Sequence, residues 1–365
     1  MFINSISASG YRNLEVINQE LNSGVNILVG NNAQGKTNLL EAVYFCSFGR
    51  SLRVRRDNEL IKWGESKAGI RVDVKRNNMN YTFDTVLENK NGKIIKSMSM
   101  DKVPIRHMKE LFGRILVVMF SPEDLKLIKS GPSERRRFMD MEICQLSPVY
   151  YGELKEYHRV LKQRNALLKI LQRDKSKNKT QNESLEVWDE QLINYGKKII
   201  KTRGAFINKI NAYAGEIHQN ITQKKEELKL LYKPGLDVES YATSLKKSHE
   251  KDILRGTTGD GIHTDDIDFQ IDGRSVRYYG SQGQQRTAAL SAKLAEISLI
   301  EQKTGETPIL LLDDVLSELD ASRQKFLIKQ INKLQTIVTC TGVEDILKSA
   351  KDAKLLKMEN GRIKQ

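Results

Sequence analysis

The sequence predicts an α/β fold in which a phosphate-loop nucleotide-binding domain is split along the chain by an inserted helical second lobe. Three observations predict it. A strand–loop–helix unit with phosphate-binding spacing lies near residue 30, a long helical pattern fills the middle of the chain, and an aliphatic strand ending in two aspartates arrives only after residue 308. The expected division gives residues 1–120 and 266–365 to the nucleotide-binding lobe and 121–265 to the insert, which carries an antiparallel helical hairpin.

In chain order, Ile3 to Tyr11 reads as extended, and Val25-Asn26-Ile27-Leu28-Val29 is a β-branched-rich strand. It runs into Gly30-Asn31-Asn32-Ala33-Gln34-Gly35-Lys36-Thr37-Asn38. Two glycines bracket this loop, so its backbone N–H groups can turn inward around phosphate oxygens. Lys36 supplies a point charge for the β- and γ-phosphates, and the Thr37 hydroxyl is placed to ligate Mg²⁺. The helix that follows, to about Phe48, adds a positive end equivalent to roughly half an elementary charge.

Ala68 to Val74 and Tyr81 to Leu87 alternate at period two, and the polar Arg76-Asn77-Asn78 segment between them reads as a turn. Asn91-Gly92 marks a second hairpin turn between Leu87 and Ile94. Ile115 to Phe120 is apolar throughout and suits a buried strand. The pattern changes from about Ser121. Ser147-Pro148 precedes a long helix, Arg173 to Lys179 is a polar run expected as a solvated loop, and a second helix carries an apolar stripe from Leu185 to Ile217 at steps of three and four with one slot of seven. With Leu154, Tyr157, Leu161 and Leu168 on the first helix, the expected structure is a hairpin packed within the chain rather than a dimerising coiled coil. Past Tyr278 the α/β character returns, with a helix over 287–301, a strand over 308–313, a helix over 321–334, a strand over 336–341 and a terminal hairpin over 355–362.

Ile309-Leu310-Leu311-Leu312-Asp313-Asp314 is a strand covered on both faces, ending where doubly wound sheets bind ligands. Asp313 is the candidate for holding Mg²⁺, and Asp314 for the base or orienter of an attacking water. A structural hydrogen-bonding cluster of two acids would look the same in isolation. Ser281-Gln282-Gly283-Gln284-Gln285-Arg286 opens the helix upstream, either as a second anion site or as an ordinary capped helix start. Ser317-Glu318-Leu319-Asp320 follows the acids as a turn into the next helix.

The order of these motifs resembles the ABC-type ATPase family, in which a serine-glycine signature precedes the acidic strand and an aspartate loop follows it. Within it, the closer resemblance is to the RecF family of bacterial recombination mediators. Tyr11-Arg12-Asn13-Leu14, Gly49-Arg50-Ser51-Leu52-Arg53, Phe120-Ser121-Pro122-Glu123-Asp124 and Gly131 to Asp140 carry it along with the motifs above, so it spans nearly the whole chain. The resemblance implies an ABC-type ATPase head that dimerises head to tail on ATP and hydrolyses it slowly under DNA stimulation. It implies binding at single-strand/double-strand junctions, with RecR and RecO as partners in loading RecA at gaps. By position, Lys36 and Thr37 bind the triphosphate and Mg²⁺, Asp313 serves the metal, and Asp314 takes the catalytic role. Ser281, Gln282, Gly283, Gln284 and Arg286 form the signature that reaches the ATP of the partner subunit, and Ser317 and Asp320 belong to the aspartate loop. Many members of the superfamily have glutamate at the place of Asp314 and a histidine after the last core strand. Here that strand reads Val338-Thr339-Cys340-Thr341 with no histidine near, so slow turnover is expected.

Lysines and arginines number 60 against 46 acids, a net charge of +14 that favours polyanionic partners, nucleic acid ahead of acidic membrane. Arg50, Arg53, Arg55 and Arg56 are the DNA-binding candidates. Arg135 to Arg137 and the insert's Lys155, Arg159, Lys162, Arg164, Lys197, Lys198, Lys201 and Arg203 are further basic clusters. The 135–137 run could equally brace the domain against buried acids. No aromatic is interleaved among them for base stacking, so contact with the DNA backbone, without sequence preference, is expected. No apolar run nears the roughly 20 residues of a membrane helix. The start lacks a secretion pattern, and Cys46, Cys144 and Cys340 have no metal-type spacing, which together read as a cytoplasmic protein. The alternatives are a non-hydrolytic ATP-gated DNA clamp and another short-armed SMC-like ATPase. A transporter subunit would place its signature much sooner after the phosphate loop.

Overall fold

The computed structural model describes residues 1–54, 56–173, 179–341 and 353–364. Arg55 and residues 174–178 of the expected polar loop fall outside them. The chain forms two compact units, residues 1–125 with 293–365, and residues 126–292.

In the first unit, β1 (Phe2–Ser9), β2 (Val16–Glu20) and β3 (Val25–Val29) lead into α1 (Lys36–Phe48). Then come β4 (Lys67–Arg76), β5 (Met79–Lys90), β6 (Lys93–Met100), β7 (Val103–Pro104) and β8 (Val117–Phe120). The two hairpin turns expected from sequence join β4 to β5 and β5 to β6. Asn77, Asn78, Asn91 and Gly92 all have positive φ, as two-residue hairpin loops with the strands' own twist require.

The second unit contains α2 (Lys126–Lys129), α3 (Pro132–Leu146), α4 (Pro148–Arg173), α5 (Lys179–Thr222), β9 (Leu228–Lys233), α6 (Tyr241–Lys247) and α7 (His249–Arg255). It continues through β10 (Asp266–Ile271), β11 (Arg274–Ser275), α8 (Val276–Tyr279) and the start of α9 (Gln282–Thr304). The first unit resumes with β12 (Ile309–Asp313), α10 (Ala321–Ile331), β13 (Thr336–Cys340), β14 (Lys354–Glu359) and β15 (Arg362–Lys364).

Two six-stranded sheets build the first unit. One has the order β2-β1-β4-β5-β6-β7 and is antiparallel; the other has the order β15-β14-β3-β13-β12-β8 and is parallel except at β15. β8, β12 and β13 are buried at every position, which their unbroken apolar runs anticipated. Helix α1 packs on β1, β4 and β5 of the first sheet and on β8, β12 and β13 of the second. That double contact is why it buries an unbroken run from Leu39 to Phe48 instead of a stripe.

In the second unit α4 and α5 pack together along their lengths as a hairpin, and Leu168, Leu171 and Leu185 form a small core there. The sequence boundary at residue 266 and the division at Lys293 differ for a physical reason. β10 pairs antiparallel with β9, from Asp266↔Lys233 to Ile271↔Leu228, and this holds 266–292 with the insert.

The structure also corrects the reading of two insert arginines as exposed cations. Arg164 and Arg203 are fully buried. Arg164 donates to Asp189 (2.6 Å), Asp252 (2.7 Å) and the Thr258 hydroxyl (2.7 Å). Arg203 donates to Asp265 (2.6 Å), Asp140 (2.8 Å) and the Ile262 carbonyl (2.7 Å). Arg135 is likewise a brace, bidentate to Asp266 at 2.6 and 3.0 Å. Among the described residues no helix is long and apolar enough to cross a membrane. The three cysteines are buried free thiols.

Candidate nucleotide-binding site

The loop from Gly30 to Thr37 lies between β3 and α1, at the C-terminal edge of the parallel sheet. Its glycines are there for space. A Cβ on Gly30 would lie 2.3 Å from the Met358 carbonyl oxygen, and one on Gly35 2.8 Å from Asn13 Oδ1. Gly35 caps α1 at φ 105°, and Ala33 shares the left-handed region at φ 64°. Lys36 is buried and folds its ammonium back onto the carbonyls of Gly30 and Asn31 (2.9 Å to the latter).

The acidic strand meets this loop directly. Thr37 Oγ1 donates to Asp313 Oδ1 at 2.7 Å, and Thr339 Oγ1 donates to the same oxygen at 3.0 Å. Thr339 stands opposite Asp313 in the parallel β12–β13 register and also accepts the Asp314 amide at 2.9 Å. Asp314 turns out of the strand at φ 53°, and Ser317 Oγ donates to its carbonyl at 2.8 Å. A cavity of about 670 Å³ opens here, lined by the loop from Asn32 to Asn38 and by Asp313, Asp314 and Thr339. Among the described residues no three His, Cys, Asp or Glu converge on a metal site. Magnesium held here would therefore draw its ligands from Thr37, Asp313, water and substrate phosphates, the oxygen-rich set this ion prefers.

Several contributors carried no assigned role in the sequence reading. Asn13 bridges the loop, donating to the Ala33 carbonyl (2.8 Å) and accepting from Asn38 (2.7 Å). Arg12 forms a fork to the buried Glu41 at 3.0 and 3.1 Å, and Ser51 donates to the same carboxylate. The adjacent Tyr11 is buried, and burial, with Glu41 nearby, pushes its phenol well above the usual range. Of the DNA candidates, Arg53 lines the cavity and donates to Asn38 Oδ1 at 2.9 Å, while Arg50 and Arg56 are exposed. A positive φ at Arg12 is invisible in sequence.

The residues expected to form the signature, 281–286, lie in the second unit. Ser281 and Gln284 form a reciprocal cap on α9, Gln284 N to Ser281 Oγ at 3.2 Å and Ser281 N to Gln284 Oε1 at 2.9 Å. Gln284 also donates to Glu226 (3.0 Å), and Ser281 and Gln282 are exposed. Asp320 caps α10, accepting from the Arg323 amide (3.0 Å) and guanidinium (2.6 Å).

A split parallel sheet, a phosphate loop bonded to an acidic strand and an inserted helical unit define an ABC-type ATPase head. The family model described as RecF/RecN/SMC N terminal domain matches residues 2–364. The chain is 46% identical over 364 residues to the DNA replication and repair protein RecF of Lachnospira eligens, spanning 100% of this chain and 99% of that one. It is 42% identical over 372 residues to the RecF of Clostridium botulinum, spanning all of both. Among solved structures it resembles the recombination mediator protein RecF-ATP of the RecFOR pathway, with TM-score 0.90 and 33% identity over 100% of this chain and 97% of that one. An Smc head domain from Pyrococcus furiosus, at TM-score 0.56 and 16% identity over 100% of this chain and 95% of that one, shares the fold. The chain belongs to the RecF family of DNA replication and repair proteins.

Proposed function

We propose that this chain is an ATP-dependent DNA-binding protein of recombinational repair, acting in the cytoplasm. It binds ATP and Mg²⁺, closes into a head-to-tail homodimer on single-strand/double-strand junctions, and with RecR and RecO helps load RecA at gaps. The observation that carries this reading is the 2.7 Å bond from Thr37 to Asp313, which brings the hydroxyl and carboxylate of a magnesium–triphosphate site together across 276 residues of sequence. The RecFOR context of the similar RecF-ATP structure supports the partners.

In this reading the triphosphate displaces the Gly30 and Asn31 carbonyls from Lys36, so the ammonium exchanges two neutral acceptors for charged ones. Magnesium, when bound, neutralises phosphate charge. Asp314 orients the attacking water. Its backbone is tied to Thr339 and Ser317, and its side chain is shorter than the glutamate common in the superfamily, which favours slow, DNA-stimulated turnover. Ser281 and Gly283 reach the γ-phosphate held by the partner subunit, and the exposed Arg50 and Arg56 contact the DNA backbone.

The test mixes a Lys36→Ala copy with a Ser281→Arg copy. Each alone is expected to stay monomeric with ATP, and the mixture to form a dimer with one intact pocket and measurable hydrolysis. A mixture as inert as its components overturns the shared-pocket scheme.

A further inference from the structure

Residues 57–65 form one wall of the same cavity. They are tied to the Arg12–Asn13 side of the phosphate loop, whereas the acidic strand is tied to Thr37. The backbone there is pinned at three points. Arg12 N donates to the Leu60 carbonyl (2.7 Å) and Lys62 N to the Gly10 carbonyl (2.8 Å), the two bonds that make the antiparallel Tyr11–Ile61 bridge, and Arg12 Nη1 donates to the Glu59 carbonyl (3.2 Å). Glu65 N then closes a turn onto the Lys62 carbonyl at 3.0 Å, with Gly64 supplying the left-handed position at φ 87°. Trp63 is the second residue of that turn. It lines the cavity, yet 99% of its surface is exposed. A large aromatic ring is therefore displayed on a fixed support, beside the loop that takes the phosphates, with its faces open.

We propose that Trp63 is the platform for the nucleobase: the purine ring lies against the indole while the triphosphate sits on the loop. The inference rests on the nucleotide reading of the site and adds the source of its base preference. Stacking reads a π-face and not a hydrogen-bond pattern, so purine triphosphates bind more tightly than pyrimidine ones, and adenine and guanine are poorly distinguished.

The chain has two tryptophans, so Trp188→Phe leaves Trp63 as the only indole reporter. That protein is titrated with ATP, GTP, CTP and inorganic tripolyphosphate, each with Mg²⁺, following fluorescence and, in parallel, calorimetry. ATP and GTP are expected to quench the emission, and tripolyphosphate to bind without quenching. Trp63→Ala is expected to raise the Kd for ATP about tenfold while leaving that for tripolyphosphate unchanged. Absence of quenching by ATP, or an equal change for ATP and tripolyphosphate in Trp63→Ala, overturns the proposal. Failure of the underlying site looks different: neither ATP nor tripolyphosphate binds the unaltered chain, or Lys36→Ala binds both undiminished.

Discussion

Replacing Arg203 with alanine separates an internal brace from a nucleic-acid contact. The fully buried guanidinium lies between Asp265 and Asp140, at 2.6 and 2.8 Å, and also donates to the Ile262 carbonyl and the Tyr150 hydroxyl (3.0 Å). Asp265 is itself buried and serves other groups, accepting from the Tyr232 hydroxyl and the Gly235 amide (2.8 Å). Deleting the cation leaves two carboxylates near each other with their main counter-charge gone. Removing one partner of a buried ion pair costs about 3–5 kcal/mol. For a unit the size of residues 126–292, each kcal/mol lowers Tm by about 2–4 °C, so the expected fall is about 6–20 °C. Arg203→Lys retains the charge but not the planar fork that joins both acids, and should fall between alanine and the native residue. The assay is thermal unfolding by circular dichroism, run beside duplex-DNA affinity at two salt concentrations, with the exposed Lys198→Ala as control. An Arg203→Ala protein that unfolds within about 1 °C of the native one, where a cost of 3–5 kcal/mol was expected, would refute the brace.

Three further outcomes follow from the same geometry. Asp314→Asn should retain ATP-dependent dimerisation while hydrolysis falls at least about 100-fold, the usual scale for losing a general base; unchanged phosphate release would remove Asp314 from the chemistry. Gly30→Ala puts a methyl 2.3 Å from the Met358 carbonyl oxygen and should abolish ATP binding while destabilising the fold by about 1–3 kcal/mol, whereas Gly24→Ala, which meets open space, should do neither; calorimetry with each variant decides. Burial pushes the Cys46 thiol up to about 12, above its unfolded value, so the stability it confers is complete below about pH 8.5 and drains away as pH rises toward 12. Cys46→Ala should therefore shrink the gap in stability between pH 8 and pH 10.5 by about 2 kcal/mol, and identical gaps in the two proteins would contradict the assignment.

Features with a local physical cause were legible in the residues. The phosphate loop, the Asn-containing hairpin turns, the aliphatic strand ending in Asp313 and the α4–α5 stripe each owe their form to neighbours within a few positions. Features with a remote cause were not. β2 has alternating burial but is rich in Asn, Gln and Glu, and it becomes a strand by pairing with β1. α3 shows no clean apolar face because one of its buried residues is Arg135, whose partner Asp266 is 131 residues away. Arg164 and Arg203 looked like surface charges for the same reason: the distance in sequence to Asp252 (88 residues) and to Asp265 (62) hides the pairing. Thr339 escaped notice as a hydroxyl inside an apolar strand, although its register opposite Asp313 makes it a second donor to that carboxylate.

The phosphate loop itself shows how far local sequence reaches. Its spacing identifies it, but its shape is held by the far end of the chain. Gly361 N donates to the Gln34 carbonyl (3.0 Å), Glu15 N donates to the Gly361 carbonyl (3.0 Å), and the Met358 carbonyl sets the clearance at Gly30. β3, which delivers the loop, lies between β13 and β14, both more than 300 residues onward. Contacts of such separation carry the largest loop-closure entropy. The insert relies on pairings of shorter range, α4 with α5 and β9 with β10. Competence to cradle a triphosphate thus requires the two ends of the chain to have met, which ties the site to completion of the first unit and not to the motif alone.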